Sequence, residues 1–285
     1  LFRSTGGFLG GRYMIQKVLG EGGFGITYLA KDNQRPGSPV CVIKRFSPAR
    51  RDPRFLEAAH RLFQAEAQIL ETLGRQHDRI PQLLAYFEEE NEFYLVQDYI
   101  EGHPLNEELR DQEPFSAAAT IDFLLDVLST LQFIHRHNII HRDIKPSNLI
   151  HRPDGAFVVI DFGAVKHLDG VERKTIGVGT PGYIPPEQVA GLPTLNSDLY
   201  ALGIIAIQCL ITIPPHMLDL NPETGDLNWQ PLVTQYHGES VEMQAFIQIL
   251  QTLTQYNSCD RYQSAAAALK DLKKLRKFFK NETVM

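Results

Sequence analysis

An α+β protein in two lobes is what the sequence predicts: a small β-rich N-terminal lobe and a larger helical C-terminal lobe. Up to about residue 100 the apolar residues fall in short β-branched and aromatic runs, as in Val40-Cys41-Val42-Ile43. Beyond Ile100-Glu101-Gly102-His103-Pro104 they recur at helical spacing, as in Ile121, Leu124, Leu125, Leu128, Leu131 and Ile134. The 285 residues are 43% hydrophobic, enough to fill the core of two ordinary domains or one large one. Residues 1–12 are read as a flank, about 13–100 as the first lobe and about 101–285 as the second.

Composition removes several classes. With a charged fraction of 22% and a net charge of -6, a general positive excess for nucleic acid is missing, and no nucleic-acid partner is expected. Cys41, Cys209 and Cys259 form neither a Cys-x-x-Cys pair nor a disulfide framework, which fits a reducing, cytoplasmic setting. The longest apolar run, 199–213, contains Gln208, ends at Pro214-Pro215 and is shorter than the roughly 20 residues a membrane span needs. It reads as a buried core helix, and no membrane segment is expected. Because the chain opens on Leu1, it is expected to be a piece of something longer, whose flanks could tether it to a membrane.

In chain order, strand formers at 13–18 and 26–30 enclose Gly20-Glu21-Gly22-Gly23-Phe24-Gly25. Such glycines let backbone N–H groups approach phosphate oxygens without a side chain in the way, although the stretch reads equally as a flexible hairpin. A dinucleotide-binding turn would open a helix at once, whereas Ile26-Thr27-Tyr28-Leu29 reads as strand. Lys44 ends the next strand. In the helix 55–73, Leu62, Ala65, Ile69 and Leu73 form the apolar stripe, with Glu66 beside it. A Lys44–Glu66 ion pair would fix the lysine against phosphates; the alternative is a surface lysine and a solvated glutamate. Strands 83–87 and 93–99 are joined by an acidic turn, 88–92, that reads as solvated.

In the second lobe Ser116 can cap a helix 116–137, which delivers the chain to His141-Arg142-Asp143-Ile144-Lys145-Pro146-Ser147-Asn148, a loop bracketed by short apolar strands. Asp143 could accept a proton from an attacking hydroxyl, Lys145 could hold a transferring phosphoryl group and Asn148 could offer its amide oxygen to magnesium. The strand 157–160 ends in Asp161-Phe162-Gly163, where Asp161 is a turn residue or a carboxylate available for magnesium. The irregular stretch 161–187 is long for a compact protein and reads as functional or mobile. Ser197-Asp198 is read as the cap of the apolar helix that follows, and helices are expected at 239–255 and 264–279.

Taken in order, Gly20 to Gly25, Lys44, Glu66, the 141–148 loop, Asp161-Phe162-Gly163 and Pro185-Pro186-Glu187 resemble the signature set of the protein-kinase family. The wording of the glycine loop and of 80–89 is similar to the bacterial eukaryotic-type (Hanks-type) Ser/Thr kinases, particularly the cyanobacterial group. The resemblance implies a two-lobed protein-kinase-like fold with ATP in the cleft between lobes and Mg2+, or Mn2+, as the metal. It implies Lys44 on the α- and β-phosphates, held by Glu66, under the glycine loop Gly20, Glu21, Gly22, Gly23, Phe24 and Gly25. It further implies Asp143 as base or orienting group, Lys145 as phosphoryl clamp, and Asn148 and Asp161 as metal ligands. Thr27, Val42 and Ile150 would flank adenine, Gln97 would be the gatekeeper, and Asp98 and Ile100 would offer backbone hydrogen bonds. Glu187 would pair with Arg261, Asp198 would brace the catalytic loop, and His141, Phe162 and Leu70 would stack in an apolar spine.

Where the family usually has valine after the glycine loop and alanine two before the lysine, this chain has Thr27 and Val42, which leaves the shape of the adenine pocket in question. Lys145 followed by Pro146 resembles Ser/Thr kinases, so the implied acceptor is a Ser or Thr of a protein substrate. Thr180 would contact both Asp143 and Lys145. Thr175 is the remaining Ser/Thr residue of the 161–187 segment and the expected autophosphorylation site, its phosphate pairing with Arg142. The rivals are a pseudokinase scaffold, against which Lys44, Asp143, Asn148 and Asp161 are all present, a small-molecule kinase, which generally lacks the Pro-Glu segment and its arginine, and a nucleotide-binding regulatory module without transfer.

Overall fold

A computed structural model describes residues 7–22, 25–46, 53–90, 92–111, 113–168 and 179–279. The chain divides into two units, 1–101 and 102–285. The first is a six-stranded antiparallel sheet with one helix. Its strands are β1 (Phe8–Leu9), β2 (Tyr13–Gly22), β3 (Gly25–Asp32) and β4 (Val40–Phe46), then, after helix α1 (Pro53–Leu73), β5 (Leu83–Glu89) and β6 (Glu92–Asp98), in the order β1-β2-β3-β4-β6-β5. Side chains alternate across a strand. Tyr28, Ala30, Cys41, Ile43 and Val96 therefore pack into a core on one face. The register Thr27↔Lys44 and Val42↔Gln97 gathers Thr27, Val42, Lys44 and Gln97 on the other.

The buried stripe of α1 differs from the expected one. Ala59, Phe63, Glu66, Ala67, Ile69, Leu70 and Leu73 are buried, whereas Leu62 and Ala65 are only half-buried. The helix is turned toward Phe63, whose ring lies 5.4 Å from Phe46 and 5.9 Å from Tyr86. Glu66 consequently sits within the buried face instead of beside it. The acidic turn is also more than solvated surface. Both flanking strands run into it, Glu92 pairs with Arg45 and accepts from the Tyr94 hydroxyl at 2.7 Å, and Glu89 accepts from the Gly10 amide at 3.0 Å.

The second unit starts with β7 (His103–Pro104) and α2 (Leu105–Asp111), then α3 (Ala117–Arg136), β8 (Ile139–Ile140), β9 (Leu149–His151), β10 (Phe157–Val159) and β11 (Lys166–His167). After these come α4 (Pro186–Val189), α5 (Leu195–Ile211), α6 (Gln230–His237), α7 (Val241–Leu253) and α8 (Ala265–Arg276). Helix α3, capped by the Ser116 hydroxyl on the Ala119 amide at 3.1 Å, packs on α5 and α8 and forms the core. By length and composition α3 could cross a membrane, but most of it is buried inside this unit, as a core helix should be. Helix α5 is capped by Thr194, not by Ser197 and Asp198. Ser197 is the third residue of that capping box, and Asp198, 1% exposed, turns inward toward the 141–148 loop. Helices α2 and α6 had no clear sequence signal, being short and mostly polar.

Candidate active site

In the first unit the sheet face described above carries Lys44, whose ammonium pairs with Glu66 of α1; their side chains are 16% and 4% exposed. Removing one partner of so buried a pair costs about 3–5 kcal/mol, because the other charge is left in a poorly solvated site. Gly20, Glu21 and Gly22 end β2, and Gly25 opens β3 opposite Gly22. Among the described residues a Cβ at Gly20 would meet nothing within 4 Å, so their packing does not demand glycine there. Gln97 is 4% exposed, and among the described residues nothing donates to its Oε1. Asp98 is tied to Gln82 in both directions, its amide donating at 3.1 Å and its carboxylate accepting at 3.2 Å, and Ile100 follows just beyond the strand.

In the second unit the 141–148 loop is anchored from below by α5. Asp198 accepts the His141 amide at 2.9 Å and the Arg142 amide at 2.9 Å, and meets His135 Nε2 at 2.9 Å. These bonds hold Arg142 at φ +69°, a left-handed conformation that costs a non-glycine residue on the order of 1–3 kcal/mol; Asp161 shares it at φ +66°. The Asp143 amide points at His141 Nδ1 at 3.4 Å, which makes Nδ1 the acceptor and Nε2 the donor to the Ile160 carbonyl at 3.2 Å. The His141 and Phe162 rings meet edge to face with centroids 4.9 Å apart, and Leu70 is buried in the first unit.

Three donors converge on the Asp143 carboxylate. Oδ1 accepts from Thr180 Oγ1 at 2.8 Å, and Oδ2 accepts from Lys145 Nζ at 2.7 Å and from Asn148 Nδ2 at 3.2 Å. Asn148 Nδ2 also donates to the Asp143 carbonyl at 2.9 Å, so the amide is turned with its oxygen as the atom left for a cation. The Ile160 amide donates to the Asn148 carbonyl at 2.9 Å, which brings the chain leading to Asp161 alongside Asn148. One amide oxygen and one carboxylate are hard ligands, too few for an all-protein cage. They fit Mg2+, which keeps waters and takes phosphate oxygens as its remaining ligands.

The segment ahead of α4 is fastened separately. Glu187 takes two bonds from Arg261, at 2.7 and 3.0 Å, and a third from the Ser197 hydroxyl at 2.7 Å. Tyr183 donates to Gln208 at 2.5 Å, and burial pushes its phenol up to about 12. Of the residues singled out in the sequence, Arg142, Asp143, Lys145, Asn148 and Thr180 are brought together here, and Ile150 lies buried on β9. Gly23, Phe24 and Thr175 lie outside the described residues.

Burial holds the His141 pKa below its ordinary 6.5 in spite of Asp198, Asp143 and Asp161 nearby. For Asp198 burial pushes upward, but the hydrogen bonds from His135 and the His141 amide bring it below its ordinary value. Both groups are depressed on folding. Their stability is therefore complete above the unfolded-state values and lost as pH falls, His141 first, below about 6.5, and Asp198 only near 4 and under. Urea unfolding from pH 8 to 5 should show stability falling below pH 6.5, by up to about 1.4 kcal/mol per unit for the histidine. A flat profile would contradict the neutral, buried His141.

A family model described as a protein kinase domain matches residues 13–272. The chain belongs to the protein kinase family. Its fold is accordingly the two-lobed α+β kinase fold. This kinase domain is 39% identical over 272 residues to serine/threonine-protein kinase B of Synechocystis sp., covering 92% of this chain and 46% of the relative. It is 44% identical over 230 residues to serine/threonine-protein kinase PknA of Nostoc sp., covering 78% and 41%. Serine/threonine-protein kinase C of Synechocystis sp. matches at 39%, covering 93% and 50%. The chain thus spans about half the length of the curated relatives it matches. The expected likeness to the cyanobacterial group is borne out.

Sequence reasoning missed three groups of the kinase domain's site: His135 behind Asp198, Ser197 on Glu187, and Gln188, whose side chain reaches the Arg142 carbonyl. The signal for Gln188 was its place directly after Pro-Pro-Glu; for His135, a titratable residue on the apolar stripe of α3.

Proposed function

We propose that this domain transfers the γ-phosphoryl group of ATP to serine or threonine hydroxyls of protein substrates. The observation that carries this reading is the Asp143 carboxylate, fixed by Thr180, Lys145 and Asn148 and still 13% exposed. Lys44, held by Glu66, binds the nucleotide phosphates, and the bare backbone at Gly20 admits them closely. Asn148 and Asp161 would hold Mg2+, which when bound neutralises phosphate charge. The acceptor hydroxyl donates to Asp143, which orients it and takes its proton as the oxygen bonds to the γ-phosphorus. The bond from that phosphorus to the β,γ-bridging oxygen breaks, ADP leaves with the electron pair, and Lys145 balances charge on the transferring group.

The test is a labelled-ATP assay with a generic protein acceptor beside small hydroxyl acceptors such as an aminoglycoside or choline. Label on protein serine or threonine is expected; label on the small acceptors alone overturns the reading. Autophosphorylation at Thr175, pairing with Arg142, is part of the same proposal. Phosphopeptide mapping of active protein should find the 169–178 segment modified, and an active protein unmodified there removes Thr175 from the account.

A further inference from the structure

Gln188 follows the Pro185-Pro186-Glu187 motif, and the chemistry above gives it no task. It is 2% exposed on α4, and its Nε2 donates to the Arg142 carbonyl at 2.6 Å, 46 residues away in sequence. That carbonyl belongs to the peptide unit that joins Arg142 to Asp143. The amide of the same strained residue is taken by Asp198. Arg142 is therefore clamped through both of its peptide units, one to α5 and one to α4. A buried carbonyl must be matched by a donor, and the side-chain amide of glutamine supplies one without adding charge beside Asp143 and Asp198.

The other end of the clamp is anchored as well. Glu187 is locked by Arg261 and Ser197, and the Gln188 amide donates to the Pro185 carbonyl at 3.1 Å. On the far side lies Gly179, at φ +147°. A Cβ there would stand 2.8 Å from Gln188 Nε2, so glycine leaves the space that the amide occupies. Thr180, the next residue, donates to Asp143. Arg142, Asp143, Thr180, Tyr183, Gln188 and Asp198 are among the residues lining one small pocket. Through Gln188 and Thr180 the segment 179–188 grips Asp143 from its backbone and from its carboxylate.

We propose that Gln188 is a positioning residue for phosphoryl transfer: its amide latches the Arg142–Asp143 peptide to the segment 179–188, so that Asp143 takes its working orientation when that segment is seated. The proposal rests on the reading of Asp143 as the group that orients the acceptor hydroxyl. Gln188→Met keeps the length and volume of the side chain and removes the donor. Gln188→Glu places a carboxylate against the carbonyl, a repulsion that methionine lacks.

The test compares wild type, Gln188→Met and Gln188→Glu by steady-state transfer to a serine peptide and by amide hydrogen exchange. kcat should fall roughly 10- to 100-fold in Gln188→Met, as for a reacting group displaced by about 1 Å, and further in Gln188→Glu. KM for ATP should stay at the wild-type value, which separates positioning from loss of fold. The amides of 141–143 should exchange faster in both variants, with the β2–β4 amides unchanged. A Gln188→Met protein with wild-type kcat and wild-type exchange in 141–143 overturns the latch. So does a fall in kcat matched by the fraction of protein unfolded. If the wild type itself transfers no phosphoryl group, the proposed function fails, while exchange still decides the latch: faster exchange at 141–143 supports it and unchanged exchange refutes it.

Discussion

Asp143→Asn should lower kcat by about 10²- to 10⁴-fold while leaving the fold and nucleotide binding in place. The geometry separates chemistry from structure. Oδ2 accepts from both Lys145 and Asn148, so the asparagine will turn its oxygen to that side and its NH2 toward Thr180, whose hydroxyl can accept as well as donate. The loop's other ties, from Asp198 to the His141 and Arg142 amides and from Asn148 to the Asp143 carbonyl, are untouched. What disappears is the group proposed to take the hydroxyl proton, and with it the negative charge beside Lys145. A thermal midpoint near wild type with transfer nearly abolished is the expected pair of results. A variant that loses both together would mean that the carboxylate mainly holds the loop.

The largest effect on stability is expected at Arg261. Its side chain is fully buried and makes four hydrogen bonds: two to Glu187, at 2.7 and 3.0 Å, and two to the carbonyls of Gln255 at 2.6 Å and Tyr256 at 2.8 Å. The guanidinium also lies over the Tyr200 ring at 4.7 Å. Arg261→Met keeps the stem and removes the fork, leaving a part-buried carboxylate without its counter-charge and two carbonyls without the guanidinium that bonds them. A loss of about 3–5 kcal/mol is expected, read from denaturant midpoints. Combining it with Glu187→Gln should recover part of that loss, because a neutral amide replaces the orphaned charge. A loss below about 1 kcal/mol in the single variant would place the pair with ordinary surface ion pairs.

The 141–148 loop, the Lys44–Glu66 pair and the Glu187–Arg261 pair were legible because the ordered set of motifs resembles one family's signature, and that resemblance implies both pairs although their members lie 22 and 74 residues apart. The register of α1 was not. Leu62 and Ala65 are apolar too, and spacing alone does not say which of two overlapping faces is buried; the Phe63 contact with Phe46 decides it. The local rule for serine and aspartate ahead of an apolar run read Asp198 as a cap, and only the family resemblance implied its brace on the 141–148 loop. Its real partners are two backbone amides more than 50 residues upstream, which no local rule reaches. Glu92 was hidden in the same way, its partner Arg45 lying 47 residues away, and so was Gln188. Long-range bonds between a side chain and a backbone group leave no pattern in residue spacing. They surface only when the fold closes.

The most direct test of the account runs wild type and Asp143→Asn side by side with γ-labelled ATP, Mg2+ and a generic protein acceptor, followed by phosphoamino-acid analysis. The account predicts label on phosphoserine or phosphothreonine with wild type and at least about 100-fold less with the variant. No protein label from the wild type, or an undiminished rate from Asp143→Asn, would contradict it.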